Sequence, residues 1–280
     1  MSPKELHFHG QPALRLALPE GGACTVALHG AHVLSWTTSD GTERLYLSPE
    51  ARFDGQSAIR GGVPVCWPQF NQRGPLPKHG FVRNVAWRAE PVGIGSKPDT
   101  LVFSLHDDEA TRAIWPHAFH AKLAVTLAPR SLRVALSIDN TGGAPWSFAA
   151  ALHSYLRVDD IAQASLEGLQ GANRWDAVRN DRHVDLAPEL RFGTEFDSVY
   201  VAPAEPLRLA QPSSTLEITQ SASCTETVVW NPGPALSAQL PDLPDDGWRH
   251  MLCVEAARID EPVLLAPGGS WQGWQQLTVL

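Results

Sequence analysis

Residues 117–142 read HAFHAKLAVTLAPRSLRVALSIDNTG. In LRVALSIDN, Leu132, Val134, Leu136 and Ile138 share one face, and Arg133, Ala135 and Ser137 the other. A period of two belongs to extended strands, whose successive side chains point to opposite sides. Two such runs meet at Pro129 to Ser131, so the segment predicts a long hairpin with one face in a core. Comparable runs recur at 13–36, 101–108, 147–160, 216–221, 225–233, 249–259 and 269–280, separated by turn residues. One short helix is expected, in DDEATRAIW (107–115). Parallel strands need long crossovers, usually helical, and these are missing. The expected fold is therefore all-β, a large antiparallel β-sandwich. No linker, repeat or shift of composition divides the 280 residues, so 1–280 reads as one domain.

The net charge of −8 argues against general affinity for nucleic acid or an anionic membrane surface. Cys24, Cys66, Cys224 and Cys253 form no CxxC pair, and the last three sit among small or apolar residues, as buried free thiols do. The N-terminal MSPKELHFHG lacks the apolar core of a signal peptide, and no apolar run has the length of a membrane span. A reduced, cytoplasmic protein is expected. The eleven histidines show neither HExxH nor Cys₂His₂ spacing, so no metal is expected. The absence of GxGxxG, P-loop and GxSxG patterns excludes the usual nucleotide cradles and the α/β-hydrolase elbow.

The stretch 59–83, IRGGVPVCWPQFNQRGPLPKHGFVR, breaks the strand pattern. Pro64, Pro68, Pro75 and Pro77 fix φ and remove backbone donors, which predicts a stiff, irregular loop. Trp67, Phe70 and Phe81 can be buried, which argues against disorder. Long irregular loops inside compact domains are usually functional. Arg60, Arg73, Lys78 and Arg83 gather there in an acidic chain. Arginine forks match phosphate geometry, so the loop is a candidate anion site, with unrelated solvated charges as the alternative.

Three further places carry candidate chemistry. Read as one strand, ALHSYLRVDD sets His153, Tyr155 and Arg157 on a single face, which suits a polar cleft or an exposed edge. Glu255 in MLCVEAARI lies among Cys253, Val254, Ala256 and Ala257. A carboxylate there is exposed, paired with an arginine such as Arg258, or held in a cleft with a raised pKa, as a general base is. Asp197 in FDSVY can accept from a substrate hydroxyl or form an Asx-turn.

Taken in order, GAHVLSW (30–36), IRGGVPVCWPQF (59–70), LPKHGFVRNVAW (77–87), ALHSYLRV (151–158), FDSVY (196–200) and VEAA (254–257) resemble the hexose-6-phosphate mutarotases. These are glucose-6-phosphate 1-epimerases, a branch of the aldose 1-epimerase (galactose mutarotase-like) superfamily. The resemblance runs from about residue 21 to the C-terminus, and IRGG-P-WP with LP-HGF-R carries most of its specificity. It implies a single large β-sandwich, an isomerase of hexose 6-phosphates with glucose 6-phosphate foremost, and no cofactor or metal. It matches His153 to the catalytic histidine, Glu255 to the catalytic glutamate and Asp197 to the acid that binds sugar hydroxyls. It sets Arg60, Lys78 and Arg83 around the phosphate end, with His79 lining the same cleft. Lys78 stands where the family's yeast-type members carry glutamine. On this basis Glu255 is expected to be ionised and His153 protonated before ring opening. The expected partner is a small-molecule hexose phosphate, and a monomer is expected. An aldose 1-epimerase of unphosphorylated sugars and a non-catalytic sugar-phosphate-binding protein are the alternatives.

Overall fold

The computed structural model describes residues 3–91 and 97–280; Met1 and Ser2 of the N-terminal stretch lie outside them. Strands Phe119–Ala128 and Ser131–Asn140 form the expected hairpin, with Leu123 opposite Leu136. Phe119, Ala121, Leu123 and Val125 are buried on one strand, and Leu132, Val134, Leu136 and Ile138 on the other. Each large apolar side chain buried this way contributes roughly 1.5–3 kcal/mol, and a one-residue slip would turn the whole set to water. The hairpin belongs to a nine-stranded sheet. An eight-stranded sheet has Met251–Leu265 near its centre, between Glu226–Asn231 and Trp146–Leu152. A four-stranded sheet, from Lys4–Phe8 to Val33–Thr37, completes the frame. One apolar cluster takes side chains from all three sheets, so the two large sheets sandwich a common core. The expected helix is Glu109–Ile114, closed at its start by a capping box between Asp108 and Thr111.

Strand alternation gives the eight-stranded sheet two unlike faces. Leu252 and Val254 enter the large core with Ala150 and Leu152. Cys253, Glu255 and Ala257 point the other way. On that side Ala257 packs with Cys66, Ala151, Val199 and Val228.

The 59–83 loop lies against this second face. Val65–Cys66 pairs with Ala151 and Leu152, while Trp67, Phe70 and Phe81 are buried as expected. The loop enters through Gly61 and Gly62, at φ +114° and +63°. A Cβ on Gly61 would lie 2.4 Å from the Tyr46 carbonyl oxygen, and one on Gly62 would lie 2.1 Å from that of Val33. Only glycine fits both the dihedral and the gap.

The continuous strand expected over 147–160 is interrupted. Trp146–Leu152 ends, the Ser154 N–H donates to the Leu152 carbonyl at 3.0 Å, and Tyr155–Arg157 resumes. The loop supplies the missing partners: the His153 N–H donates to the Pro64 carbonyl (3.0 Å) and the Tyr155 N–H to that of Gly62 (2.8 Å). The break buries His153 and Tyr155 and leaves Arg157 exposed. All four cysteines are free and buried. No helix among the described residues is long and apolar enough to cross a membrane.

Candidate active site

Glu255 sits opposite Val228 in the eight-stranded sheet and is 1% exposed. Of the three environments open to it, the structure selects the buried one. Arg258 is engaged with Thr225 and Glu261 instead. The partner of Glu255 is His153, whose Nε2 lies 3.3 Å from the carboxylate Oε1. Among the described residues, Glu255 Oε2 and His153 Nδ1 have no hydrogen-bond partner, although both are buried. Orphaned buried polar atoms are costly and uncommon. Here two of them lie on touching side chains.

Burial dominates the protonation of this pair. It pushes the Glu255 carboxyl well above its ordinary value; the nearby Asp197 charge adds to the effect and Arg83 opposes it. Burial also pushes His153 well below its ordinary value, helped by His79, Arg83 and Arg60. The ionised pair expected from sequence is therefore disfavoured relative to a neutral imidazole beside a protonated carboxyl. Burial disfavours the charged form of each group. Both forms hold a single shared proton, so the pair still contains one acid and one base.

A cavity of about 370 Å³ opens above His153, within the range usual for small-molecule sites. Arg60, Lys78, His79 and Arg83 line it with His153, so the structure gathers most of the expected site residues in one place. Arg60 Nε and Nη2 donate to Asp242 Oδ1 at 3.2 and 3.0 Å, and its Nη1 donates to the Tyr155 hydroxyl at 3.0 Å. Arg83 Nη2 donates to the Lys78 carbonyl at 3.0 Å, while its buried Nε has no partner among the described residues. Neither Arg83 nor Lys78 is paired with a carboxylate there. His79 adopts φ +65°, accepts from the Asn71 N–H through Nδ1 (3.3 Å), and meets the His153 ring edge-on at 5.5 Å. Burial and then the charges of Arg83, Lys78 and Arg60 push His79 down to about 3, so it is a neutral, polar wall.

Glu255 contacts His153 but does not itself line the cavity, and two further expected residues lie elsewhere. Arg73 pairs with Asp260 at 2.8 Å and stacks over Trp175, outside the cavity lining. Asp197, on strand Phe196–Val201 and opposite Trp230, shares the sheet face of Glu255 but does not line the cavity. Burial and the Glu195 charge push its carboxyl up to about 6.

The cavity also contains Arg52, Ser57 and Asp242, which sequence reasoning missed. Asp242 is 182 positions from Arg60, and nothing local in LPDLPDD announces the pairing. His153, Cys253 and Glu255 offer three donor atoms within 4.8 Å of one another. The cationic lining opposes a metal ion there, as does burial, which pushes the Cys253 thiol well above its ordinary value.

Known proteins share both the fold and the sequence. The family model described as aldose 1-epimerase matches residues 12–278. An Escherichia coli (strain K12) protein named "Putative glucose-6-phosphate 1-epimerase" is 37% identical over 240 residues, spanning 84% of this chain and 79% of its own. A Cenchrus ciliaris protein of the same name is 34% identical over 259 residues, spanning 89% and 78%. The crystal structure of a "putative mutarotase" from Salmonella typhimurium superposes with a TM-score of 0.90 at 30% identity, over 99% of this chain and 93% of that one. The fold, the sequence match and these relatives agree: the chain belongs to the aldose 1-epimerase family and is a sugar isomerase that exchanges anomers.

Proposed function

We propose that this mutarotase acts on hexose 6-phosphates, glucose 6-phosphate foremost, with His153 and Glu255 transferring protons and Arg60, Lys78 and Arg83 holding the phosphate. The observation that carries this reading is one cavity lined by His153, which contacts the buried Glu255, and by four cationic side chains, Arg60, Lys78 and Arg83 among them. An unphosphorylated sugar has no use for those charges.

Anomer exchange needs a base at the C1 hydroxyl and an acid at the ring oxygen. Proton transfer from Glu255 to His153 across their 3.3 Å contact produces the carboxylate base and imidazolium acid. Glu255 then takes the O1 proton, the C1–O5 bond breaks, and His153 protonates O5. Rotation about C1–C2 turns the other aldehyde face to O5, and closure reverses both transfers. Each such transfer contributes about 10²–10⁴-fold. His79 lines the cleft, the phosphate fixes the distance of C1 from the pair, and Asp197, outside the cavity lining but on the sheet face of Glu255, accepts from a sugar hydroxyl.

Saturation-transfer NMR on the anomers of glucose 6-phosphate and glucose tests the substrate. The expected kcat/KM is at least ~100-fold higher for the phosphate, since the charge-assisted contacts to it are lost with glucose. Equal values would transfer the assignment to unphosphorylated sugars, and catalysis of neither would transfer it to a different sugar.

A pH dependence follows from Asp197. Its raised value means that it carries a proton below about pH 6 and a charge above it. Only the charged form is acceptor on both oxygens. On glucose, which has no phosphate to titrate, kcat/KM is expected to fall as pH drops through 6, and Asp197→Asn is expected to flatten that limb. A wild-type limb that survives the substitution unchanged would remove Asp197 from sugar binding.

A further inference from the structure

We infer that Tyr155 is a positioning residue that links the phosphate-binding Arg60 to the proton-transferring His153. The inference rests on hexose 6-phosphate being the substrate. Tyr155 is 3% exposed, and both ends of its side chain are used. Its hydroxyl accepts from Arg60 Nη1 at 3.0 Å. Its ring lies parallel to the His153 imidazole, with centroids 4.8 Å apart and planes 13° from parallel. Trp230 meets both rings nearly edge-on at 6.1 Å. The backbone is held as well: the Tyr155 N–H donates to Gly62, and its carbonyl accepts from the Tyr46 N–H at 2.9 Å. The tyrosine thus has little freedom to move without disturbing both neighbours.

Arg60 is prepared in the same way. Tyr155 and Asp242 engage three of its donors. A guanidinium has five, so one N–H on each terminal nitrogen remains for an anion. Without the tyrosine hydroxyl, Asp242 would hold only one side of the guanidinium, and Nη1 would have to be ordered at the moment of binding, which weakens affinity. Without the aromatic ring, His153 would lose the surface that sets its plane beside Glu255. One residue therefore orients the anion receptor with its oxygen and the proton carrier with its ring. The two ends can be removed separately.

The test measures KM and kcat for glucose 6-phosphate and glucose in four variants. Tyr155→Phe keeps the ring and deletes the acceptor. Its KM for glucose 6-phosphate is expected to rise about tenfold, with kcat within about twofold and KM for glucose unchanged. Tyr155→Leu loses the ring too, and its kcat is expected to fall at least about tenfold further. Adding Tyr155→Phe to Arg60→Ala is expected to change nothing more on glucose 6-phosphate, because the hydroxyl then has no arginine to hold. Wild-type KM in Tyr155→Phe, equal KM increases on both sugars, or additive losses in the double variant would each overturn the inference. Tyr155→Phe decides the matter even if Tyr155→Leu fails to fold. If the wild type shows no preference for glucose 6-phosphate over glucose, the substrate reading fails together with the inference. If Arg60→Ala abolishes that preference while Tyr155→Phe behaves as wild type, only the inference fails.

Discussion

Glu255→Gln is expected to slow anomer exchange by about 10²–10⁴-fold, the usual contribution of one positioned acid or base. The amide fills the same space and reaches the same His153 nitrogen, but it cannot take the O1 proton. The fold should survive, and at neutral pH should gain. Burial raises the folded-state pKa of Glu255. A raised carboxyl contributes stability below its unfolded pKa, and that contribution is lost as pH rises through the folded value. Replacing it with glutamine removes the loss, so the denaturation midpoint near pH 7 is expected to equal or exceed that of the wild type. Stability gained with activity lost is the signature of a group kept for function. Saturation-transfer NMR measures the exchange and urea unfolding the stability. Exchange within a few-fold of wild type would take the base role from Glu255.

The sheets were legible because alternation and burial are the same fact seen twice. Leu132, Val134, Leu136 and Ile138 announce an inward face, and the structure buries all four. Where alternation stopped meaning a strand, it misled. ALHSYLRVDD alternates throughout, yet the chain breaks at His153 because the loop's Pro64 and Gly62 carbonyls take the backbone donors. That competition comes from residues about 90 positions earlier and leaves no trace in the local pattern. The protonation of the pair was hidden for a similar reason. Sequence places a carboxylate among apolar neighbours, but the degree of burial of His153 and Glu255 together decides whether their shared proton favours the neutral form. Arg60 was recognisable as a cation, whereas its partner Asp242 was not, since only the folded chain brings the two together. Arg73 shows the converse: it is close to the cluster in sequence and outside the cavity in space, held by Asp260 and Trp175.

Arg60→Ala and Arg83→Ala are each expected to reduce kcat/KM for glucose 6-phosphate by about 10–100-fold while changing that for glucose less than about threefold. A hydrogen bond to a charged group is worth about 1.5–3 kcal/mol, which sets that range. The two losses should differ in kind. Arg60 neutralises Asp242, whose side chain is 19% exposed at the cavity. Removing the arginine leaves a carboxylate facing the substrate's phosphate, so the loss includes repulsion as well as a missing contact. Asp242→Asn, added to Arg60→Ala, is therefore expected to recover part of the affinity. Arg83 has no carboxylate partner among the described residues, and its charge helps lower His153 and opposes the rise of Glu255. Its removal releases both groups from that field, so kcat is expected to shift on both sugars alike and within that threefold limit, while KM rises for the phosphate alone. KM and kcat on the two sugars, measured for these three variants, separate the effects. Equal losses on glucose and glucose 6-phosphate would assign the arginines to the frame of the cavity instead of to the phosphate, because a structural defect cannot distinguish two sugars that differ only at the sixth carbon.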